Sequence, residues 1–269
     1  MLQLEDQILI AFDTETTGAN PVAWEVCEIA AVKWQGGRVV DEFQSLIRIQ
    51  GPMNPIAQKI HKISPNDLLS APEGQPVYEK FLNFVEDGIL IAHHAPFDMG
   101  FVSAGLERFG LPLPENRVIC SSLLSRKLIR ETPNHRLQTL VKTLNLTVGN
   151  AHRALDDALN SLEVVLKCLP KMNPPSFEES IKVMGVDLKW SDFSIEKLKR
   201  EKRWSGLVHA CEKQDDVELV YEKGSKPGRW RTVKADGIVR SPNGDYFVGI
   251  DCGVSKRFEL SKISDSKYL

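Results

Sequence analysis

The residues best suited to chemistry are carboxylates that follow short apolar runs. Asp13 and Glu15 come directly after the run QILIAF at 7–12. Residues two apart on an extended chain point to the same face, so both carboxylates can reach one point. Asp98 follows a second apolar run, GILIA at 88–92, through the segment HHAPF. Because open α/β sheets bind ligands at strand ends, we expect these side chains at one site.

His152 and Asp157 lie near the start of the strongest helical segment, expected over 153–169. On an ideal helix they are about 140° apart after one full turn, so they share a face only if His152 precedes the helix. The glycine and asparagine at 149–150 favour a loop there. Asp156 points elsewhere on the helix and is expected to be a solvated charge.

Each feature alone also fits an ordinary role, such as a polar loop at 13–15 or a charge that favours the helix dipole at Asp98. Together, four carboxylates at three element ends repel one another unless they are protonated or neutralised. Hard oxygen ligands of this kind suit Mg²⁺ or Mn²⁺, and two such ions about 4 Å apart can assist displacement at phosphorus. His152 would then be the general base for an attacking water.

The elements that position these residues alternate between strands and helices. Gly36-Gly37 is expected to be the hairpin turn between two strands. The expected strands are 7–12, 28–34, 39–49 and 88–92, and the expected helices are 77–86, 96–109, 121–130, 137–144 and 153–169. Strands followed by strand–helix alternation predict an α/β layered domain.

A proline-rich segment, LPKMNPP at 169–175, is expected to end this domain because three prolines in six residues cannot continue a helix. Turn residues then separate short apolar strands, which predicts a small β-barrel or curled sheet. The expected elements are helices at 177–184 and 195–204 and strands at 217–222, 230–239, 246–251 and 257–260. The expected regions are an α/β domain at 1–170, a helical linker at 171–205 and a β-barrel at 206–269.

Charge and composition exclude several classes of protein. The 269 residues carry 34 basic and 36 acidic side chains, and 42% hydrophobic residues exclude wholesale disorder. Residues 1–170 have a net charge of −5 and residues 171–269 a net charge of +3. A strongly cationic nucleic-acid coat protein is therefore excluded, and any binding of nucleic acid must use local basic patches or metal ions. No apolar run approaches the ~20 residues of a membrane span. Five separated cysteines and no signal-like start indicate a reduced, cytoplasmic protein.

Three segments carry a family resemblance that covers roughly residues 6–170. They are FDTETTG at 12–18, AHHAPFDMGF at 92–101 and AHRALDDA at 151–158. In this order and spacing they resemble the exonuclease motifs of the DEDDh 3′–5′ exonucleases, the superfamily of the bacterial polymerase III proofreading subunit and ribonuclease T. The resemblance implies a ribonuclease-H-like fold, in which a mixed sheet is flanked by helices.

The same resemblance implies roles for individual residues. Two divalent ions would be held by Asp13, Glu15, Asp98 and Asp157, and His152 would activate water. The terminal nucleotide would be gripped by Thr16, Gly18 and His61, the last lying in an expected loop at 60–64. The implied partners are 3′ ends of single-stranded DNA or RNA, with a polymerase or another replication or repair protein as a candidate. His94 stands where the family usually has Asn, and His93 and His94 are expected to be structural or near-site residues rather than metal ligands.

The carboxy-terminal part weakly resembles a WYL domain, a small SH3-like barrel, through GDYFVG at 244–249 and KRFELSKI at 256–263. Only architecture is implied. The basic run EKLKREKRW at 196–204 is expected to be a solvated helix face, with a phosphate-contacting stripe as the alternative.

Two other functions stay open beside a 3′–5′ exonuclease. One is a noncatalytic nucleic-acid-binding or polymerase-accessory protein on the same fold. The other is a ribonuclease that degrades short oligonucleotides. Motifs alone do not choose between DNA and RNA, because recognition of the 2′-OH depends on the shape of the pocket.

Overall fold

The structure is a computed structural model that describes residues 3–86, 88–146, 152–224 and 226–269. Its contacts divide the chain into two compact units. The first contains the chain up to Thr17, Val26–Asp98 and Pro114–Trp190, and the second contains Gly18–Glu25, Met99–Leu113 and Ser191–Leu269. The domain limits expected at 170 and 205 remain predictions.

The bounds of the regular elements follow the chain order. The strands are β1 Leu9–Thr16, β2 Val26–Gln35, β3 Arg38–Leu46, β4 Ile89–Ala92, β5 Val118–Cys120, β6 Asp216–Tyr221, β7 Trp230–Val239, β8 Tyr246–Asp251, β9 Val254–Glu259 and β10 Ile263–Tyr268. The α-helices are α1 Pro55–His61, α2 Gly74–Val85, α3 Pro96–Arg108, α4 Ser121–Leu128, α5 Leu137–Leu144, α6 Ala154–Cys168, α7 Phe177–Met184, α8 Glu196–Arg200 and α9 Lys202–Lys213. No helix among the described residues is long and apolar enough to cross a bilayer.

The first unit is built on a mixed five-stranded sheet in the order β3-β2-β1-β4-β5. The pairs β1–β2 and β2–β3 are antiparallel, whereas β1–β4 and β4–β5 are parallel. Helix α6 packs across β1, β2 and β4. The ring of Phe12 in β1 lies 5.8 Å from that of Phe81 in α2 and 6.0 Å from that of Trp190. Helices therefore flank the sheet, as the ribonuclease-H-like prediction required.

Strand β1 extends further than its apolar run, which corrects the strand expected at 7–12. It pairs with β4 only from Leu9 to Ala11, but with β2 as far as Thr16. The carboxylates at 13 and 15 therefore lie on the strand itself, in the part that extends past β4.

The prediction of a loop at 60–64 is wrong in its first two residues, because Ile60 and His61 end helix α1. The start of this helix has a local signal, since the Asn54 side chain accepts the N–H of Ile56 and Pro55 is the first helical residue. The hydrophobic pattern of the sequence does not indicate this helix, because its apolar residues do not form one buried stripe and Ile56 is 72% exposed. The pattern also misses β5, which has three residues.

The second unit contains an antiparallel five-stranded sheet in the order β10-β6-β7-β8-β9. Helix α9 packs against this sheet, and its buried side chains recur at i, i+3, i+4 and i+7: Trp204, Leu207, Val208 and Cys211. The all-β carboxy-terminal prediction is confirmed, with one strand added. The sequence pattern does not predict β10 because Ile263 is its one buried residue and the strand lies at a sheet edge.

The single helix expected over 195–204 is wrong, because the chain breaks at Glu201 into α8 and α9. Leu198 and Trp204 are both buried, and a spacing of six residues cannot place both on one face of a helix. In this basic run Lys199 pairs with Glu196 and Glu212, at 3.0 and 2.9 Å. These ion pairs tie Lys199 to neighbouring glutamates, and the choice between a solvated face and a phosphate-contacting stripe stays a prediction.

Candidate active site

Helix α3 supplies Asp98 from its first turn, where the chain leaves β4. The side chain is 2% exposed, and its Oδ1 accepts two hydrogen bonds from Thr14, from the backbone N–H at 3.1 Å and from the hydroxyl at 2.7 Å. Thr14 lies between Asp13 and Glu15 on β1. The loop after β4 is therefore attached directly to the strand that carries the other two carboxylates.

Helix α6 supplies Asp157, and His152 stands just before this helix with a φ of +64°. The His152 backbone N–H donates to Asp157 Oδ2 at 3.1 Å, and the Gln138 amide on α5 donates to Oδ1 at 3.0 Å. His152 thus precedes the helix, and this position allows its side chain to lie on the same face as Asp157. The loop expected at 149–150 lies outside the described residues.

These elements bring the charged groups together. Ligand atoms of Glu15, His152 and Asp157 all lie within 4.8 Å of one another. Asp13 and Asp98 act electrostatically on each other and on the same carboxylates. We call Asp13, Glu15, Asp98 and Asp157 the acidic cluster.

The acidic cluster holds its protons more tightly than free carboxyls. Burial and the repulsion from Asp157, Glu28 and Asp98 raise the pKa of Glu15 from its ordinary 4.5 to about 8. Burial raises the pKa of Asp98 to about 7 against the hydrogen bonds from Thr14. Burial and nearby carboxylates also raise the pKa of Asp13, and burial raises that of Asp157.

A divalent cation fits this cluster. Buried, mutually repelling carboxylates lose their repulsion when a cation lies between them. Carboxylate oxygens are the ligands that Mg²⁺ and Mn²⁺ prefer, and the Glu15, His152 and Asp157 ligand atoms lie close enough to share one ion.

Glu28 is a site residue to which the sequence analysis assigns no role. It lies opposite Glu15 in the β1–β2 register and is fully buried. It accepts bonds from Arg153, at 2.7 and 3.2 Å, from the Ala154 N–H at 3.2 Å and from the Gln44 amide at 2.9 Å. Burial acts to raise the pKa of Glu28, but these bonds outweigh it and lower the pKa. Glu28 therefore fixes the start of α6, next to His152.

Glu28→Gln is expected to lower kcat about tenfold or more with little change in KM, because a small displacement of a reacting group costs much of the rate. The amide keeps the volume of the side chain but loses the charged partner of Arg153. Steady-state kinetics on a single-stranded oligonucleotide measures the effect, with the exposed Glu42→Gln on β3 as the matched control. Equal kcat in both variants would show that Glu28 does not position the site.

His61 contacts the last residue of β1, Thr16. It is 3% exposed, and its Nδ1 accepts the N–H of Ile63 at 3.0 Å. Its Nε2 therefore carries the proton and donates to the Thr16 carbonyl at 3.3 Å. Burial lowers the pKa of His61, which favours this neutral form. His61, His152 and Arg153 also line a groove of about 1040 Å³ beside the acidic cluster.

The two histidines after β4 have structural explanations. His93 Nε2 donates to the His135 carbonyl at 2.9 Å, and the Ser121 hydroxyl donates to Nδ1 at 2.8 Å. Burial lowers the pKa of His93 to about 4. His94 is exposed and has a φ of +62°, a conformation in which Asn, Asp and His are all enriched. This conformation therefore accommodates a histidine at a position where the family resemblance leads us to expect asparagine.

Comparison with known proteins identifies the family. Residues 10–165 match the model of the RNase T exonuclease family, and this range includes the whole acidic cluster. The chain belongs to this exonuclease family. It is an enzyme family of nucleases, and the match covers more than half of the chain.

Curated relatives include the PolC-type DNA polymerase III proteins of Bacillus cereus, 36% identical over 175 residues, and of Bacillus subtilis, 34% identical over 167 residues. These matches cover 65% and 62% of this chain but 12% of each relative. The chain therefore spans about an eighth of the length of these relatives.

Solved structures with a similar fold include two exonucleases. Exonuclease X in complex with 5′ overhanging duplex DNA is 26% identical, with a TM-score of 0.53 over 66% of this chain and 99% of that chain. Escherichia coli exonuclease I in complex with a dA16 oligonucleotide is 14% identical, with a TM-score of 0.56 over 91% of this chain and 55% of that chain. The second similarity concerns the fold alone.

Proposed function

We propose that this chain is a metal-dependent 3′–5′ exonuclease that hydrolyses terminal phosphodiesters of single-stranded nucleic acid and releases nucleoside 5′-monophosphates. The observation that carries the proposal is the convergence of Glu15, His152 and Asp157, within 4.8 Å, in a chain of an exonuclease family. The half-buried Asp13 and the buried Asp98 would complete the donor set.

The residues of the acidic cluster would hold two divalent ions, Mg²⁺ or Mn²⁺, which would stabilise the negative charge that develops on the phosphate and the leaving 3′ oxygen. His152 would accept the proton of the attacking water through a ring nitrogen. Its exposed side chain lies beside Glu15 and Asp157, so a water held by these carboxylates would lie next to the ring.

We propose Thr16, Gly18 and His61 as the residues that bind the terminal nucleotide. The buried His61 supports this role indirectly, because its Nε2–H holds the Thr16 carbonyl and so fixes the end of β1. Gly18 is proposed because it ends the first motif, FDTETTG at 12–18.

His152→Gln is expected to reduce kcat by about 10²- to 10⁴-fold, the usual contribution of a positioned general base. The amide preserves polarity and approximate size but cannot take up the proton. Because hydroxide replaces the missing base, the residual rate should keep rising with pH where the wild type reaches a plateau. A pH–rate profile of both proteins measures this, and parallel profiles would remove His152 from the proton transfer.

Direction and product are tested with a 5′-labelled oligonucleotide and Mg²⁺. A 3′–5′ enzyme gives a ladder of successively shorter labelled strands, whereas a 5′–3′ enzyme releases the labelled mononucleotide first. Single-stranded and duplex DNA and RNA, run in parallel, determine the substrate. Binding without cleavage would support the noncatalytic alternative, and rates that rise steeply for the shortest strands would support the short-oligonucleotide ribonuclease.

We also propose a replication or repair setting and a polymerase as a candidate partner, since the curated relatives are PolC-type polymerases. A reducing, cytoplasmic location is proposed because the five cysteines are free, and four of them are buried. Co-purification with polymerase subunits from a tagged chromosomal copy would test the partner.

A further inference from the structure

The segment Gly18–Glu25 follows the first motif directly in the chain, yet its contacts place it in the second unit with the carboxy-terminal sheet. It carries Gly18, which we propose to bind the terminal nucleotide. Residues 22–23 form a turn, and the residues on either side of it, Pro21 and Trp24, are joined by an isolated β-bridge.

A single carboxylate on β7 holds this segment at two points. Asp236 Oδ2 accepts the side-chain amide of Asn20 at 2.9 Å, and Oδ1 accepts the indole N–H of Trp24 at 3.0 Å. Asp236 lies in the irregularity between Ala235 and Gly237 on β7. An extra residue in a strand re-aims its side chain, and here that side chain is directed at the segment.

Backbone contacts strengthen the attachment. The Ile238 N–H donates to the Pro21 carbonyl at 3.1 Å, and the Gln214 amide donates to the Ala23 carbonyl at 2.8 Å. Gly237 has a φ of +140°, and a Cβ there would lie 2.4 Å from the Cβ of Asn20. The sheet therefore approaches the segment too closely for any side chain at 237.

The segment itself is strained. Val22 has a φ of +76°, which is a true outlier for a β-branched residue. It is 4% exposed and belongs to the same apolar core as Leu207 and Phe247. Strained conformations of this kind persist only where the surroundings hold them, and they concentrate at functional sites. The Trp24 ring also occupies the space that a Cβ on Gly18 would need, at 2.1 Å.

We propose that the carboxy-terminal sheet positions the segment Gly18–Glu25 for substrate binding, with Asp236 as the positioning residue. The sheet then sets the affinity for the terminal nucleotide by holding Trp24 against Gly18. This inference rests on the proposed function, because it assigns a part of the chain to its substrate-binding step.

The test is the effect of Asp236→Ala on KM and kcat for an oligothymidylate in the 269-residue chain. We expect KM to rise at least fivefold with kcat changed less than twofold. General destabilisation would instead lower the active fraction, which reduces apparent kcat and leaves KM unchanged. Asp236→Asn should restore KM to near the wild-type value, since the Asn20 amide can turn to accept from the new amide while Trp24 keeps its acceptor.

Two further variants keep the test decisive. Gly237→Ala pushes on Asn20 without removing a charge and should also raise KM, whereas Asp251→Ala breaks an ion pair with Lys256 on β8–β9 of the same sheet and should not. Affinity for a fluorescein-labelled oligothymidylate in Ca²⁺, measured by anisotropy, should fall in step with KM. Wild-type KM and affinity in folded Asp236→Ala would overturn the inference, whereas a wild-type protein that releases no mononucleotide would contradict the proposed function itself.

Discussion

Asp157→Asn is expected to reduce the rate of nucleotide release at least about 10³-fold while the protein stays folded, because it removes charge from the point where the metals must bind. The change keeps the size of the side chain. The hydrogen bonds with His152 and Gln138 can largely re-form, because the asparagine oxygen can accept the first and the Gln138 amide can turn for the second. Single-turnover rates on a labelled oligonucleotide with Mg²⁺ measure the loss.

Asp156→Asn is the matched control, since it makes the same chemical change one residue earlier on α6. The Asp156 side chain acts on Asp157 through its charge, and the loss of this charge should alter the rate less than about threefold. Similar large losses in both variants would indicate a general effect on the helix start, and retained activity in Asp157→Asn would remove Asp157 from the site.

Glu15→Gln is expected to stabilise the metal-free protein at pH 8, although it should inactivate the enzyme. The pKa of Glu15 is about 8 in the folded state against an ordinary 4.5, so ionising this buried carboxyl costs roughly 5 kcal/mol of folding free energy at high pH. Glutamine does not ionise and therefore avoids this cost. We expect the melting temperature at pH 8 to rise by at least about 5 °C.

The sign of the pH dependence follows from proton binding. Between pH 4.5 and 8 the unfolded chain releases the Glu15 proton while the folded protein keeps it. The unfolded state therefore binds fewer protons, and the stability of the metal-free wild type falls as pH rises through this range. Below about pH 4.5 both states are protonated, so the contribution of Glu15 is fully present there. The raised pKa of Asp98, about 7, acts in the same direction.

Thermal melts from pH 5 to 8.5 in EDTA, with and without saturating Mg²⁺, measure this effect. The wild type should lose stability with pH in EDTA and regain most of it with Mg²⁺, and Glu15→Gln should flatten the EDTA curve. A wild-type curve that rises between pH 5 and 8 in EDTA would contradict the assignment of buried, repelling carboxylates.

Short spacings in the sequence place neighbouring site residues on shared faces, whereas the meeting of Asp13, Asp98 and Asp157 is implied only by the order of the three motifs. Asp13 and Glu15 are two apart on a strand, and His152 precedes a helix that carries Asp157. These short spacings convert directly into shared faces. The sheet and the principal helices followed from apolar runs and periodicity, whereas short or solvent-facing elements such as α1, β5 and β10 carry too few buried residues to give a pattern.

The supporting contacts could not be predicted because they join distant positions. Glu28 meets Arg153 across 125 residues, and Asn20 meets Asp236 across 216 residues. Neither pair has a characteristic spacing, and a buried glutamate in an apolar strand gives no indication of its partner. An irregularity such as the one at Asp236 depends on how two strands pair, which single-strand patterns do not contain.

The central claim is that the acidic cluster hydrolyses nucleic acid from the 3′ end with divalent metals. It is tested most directly with a single-stranded oligonucleotide that carries a radioactive phosphate on its 3′-terminal linkage, incubated with the wild-type protein in Mg²⁺ or in EDTA. In Mg²⁺ the label should be released first, as the terminal nucleoside 5′-monophosphate, and EDTA should abolish this release. Equal release in EDTA, or label retained while 5′ nucleotides leave, would contradict it.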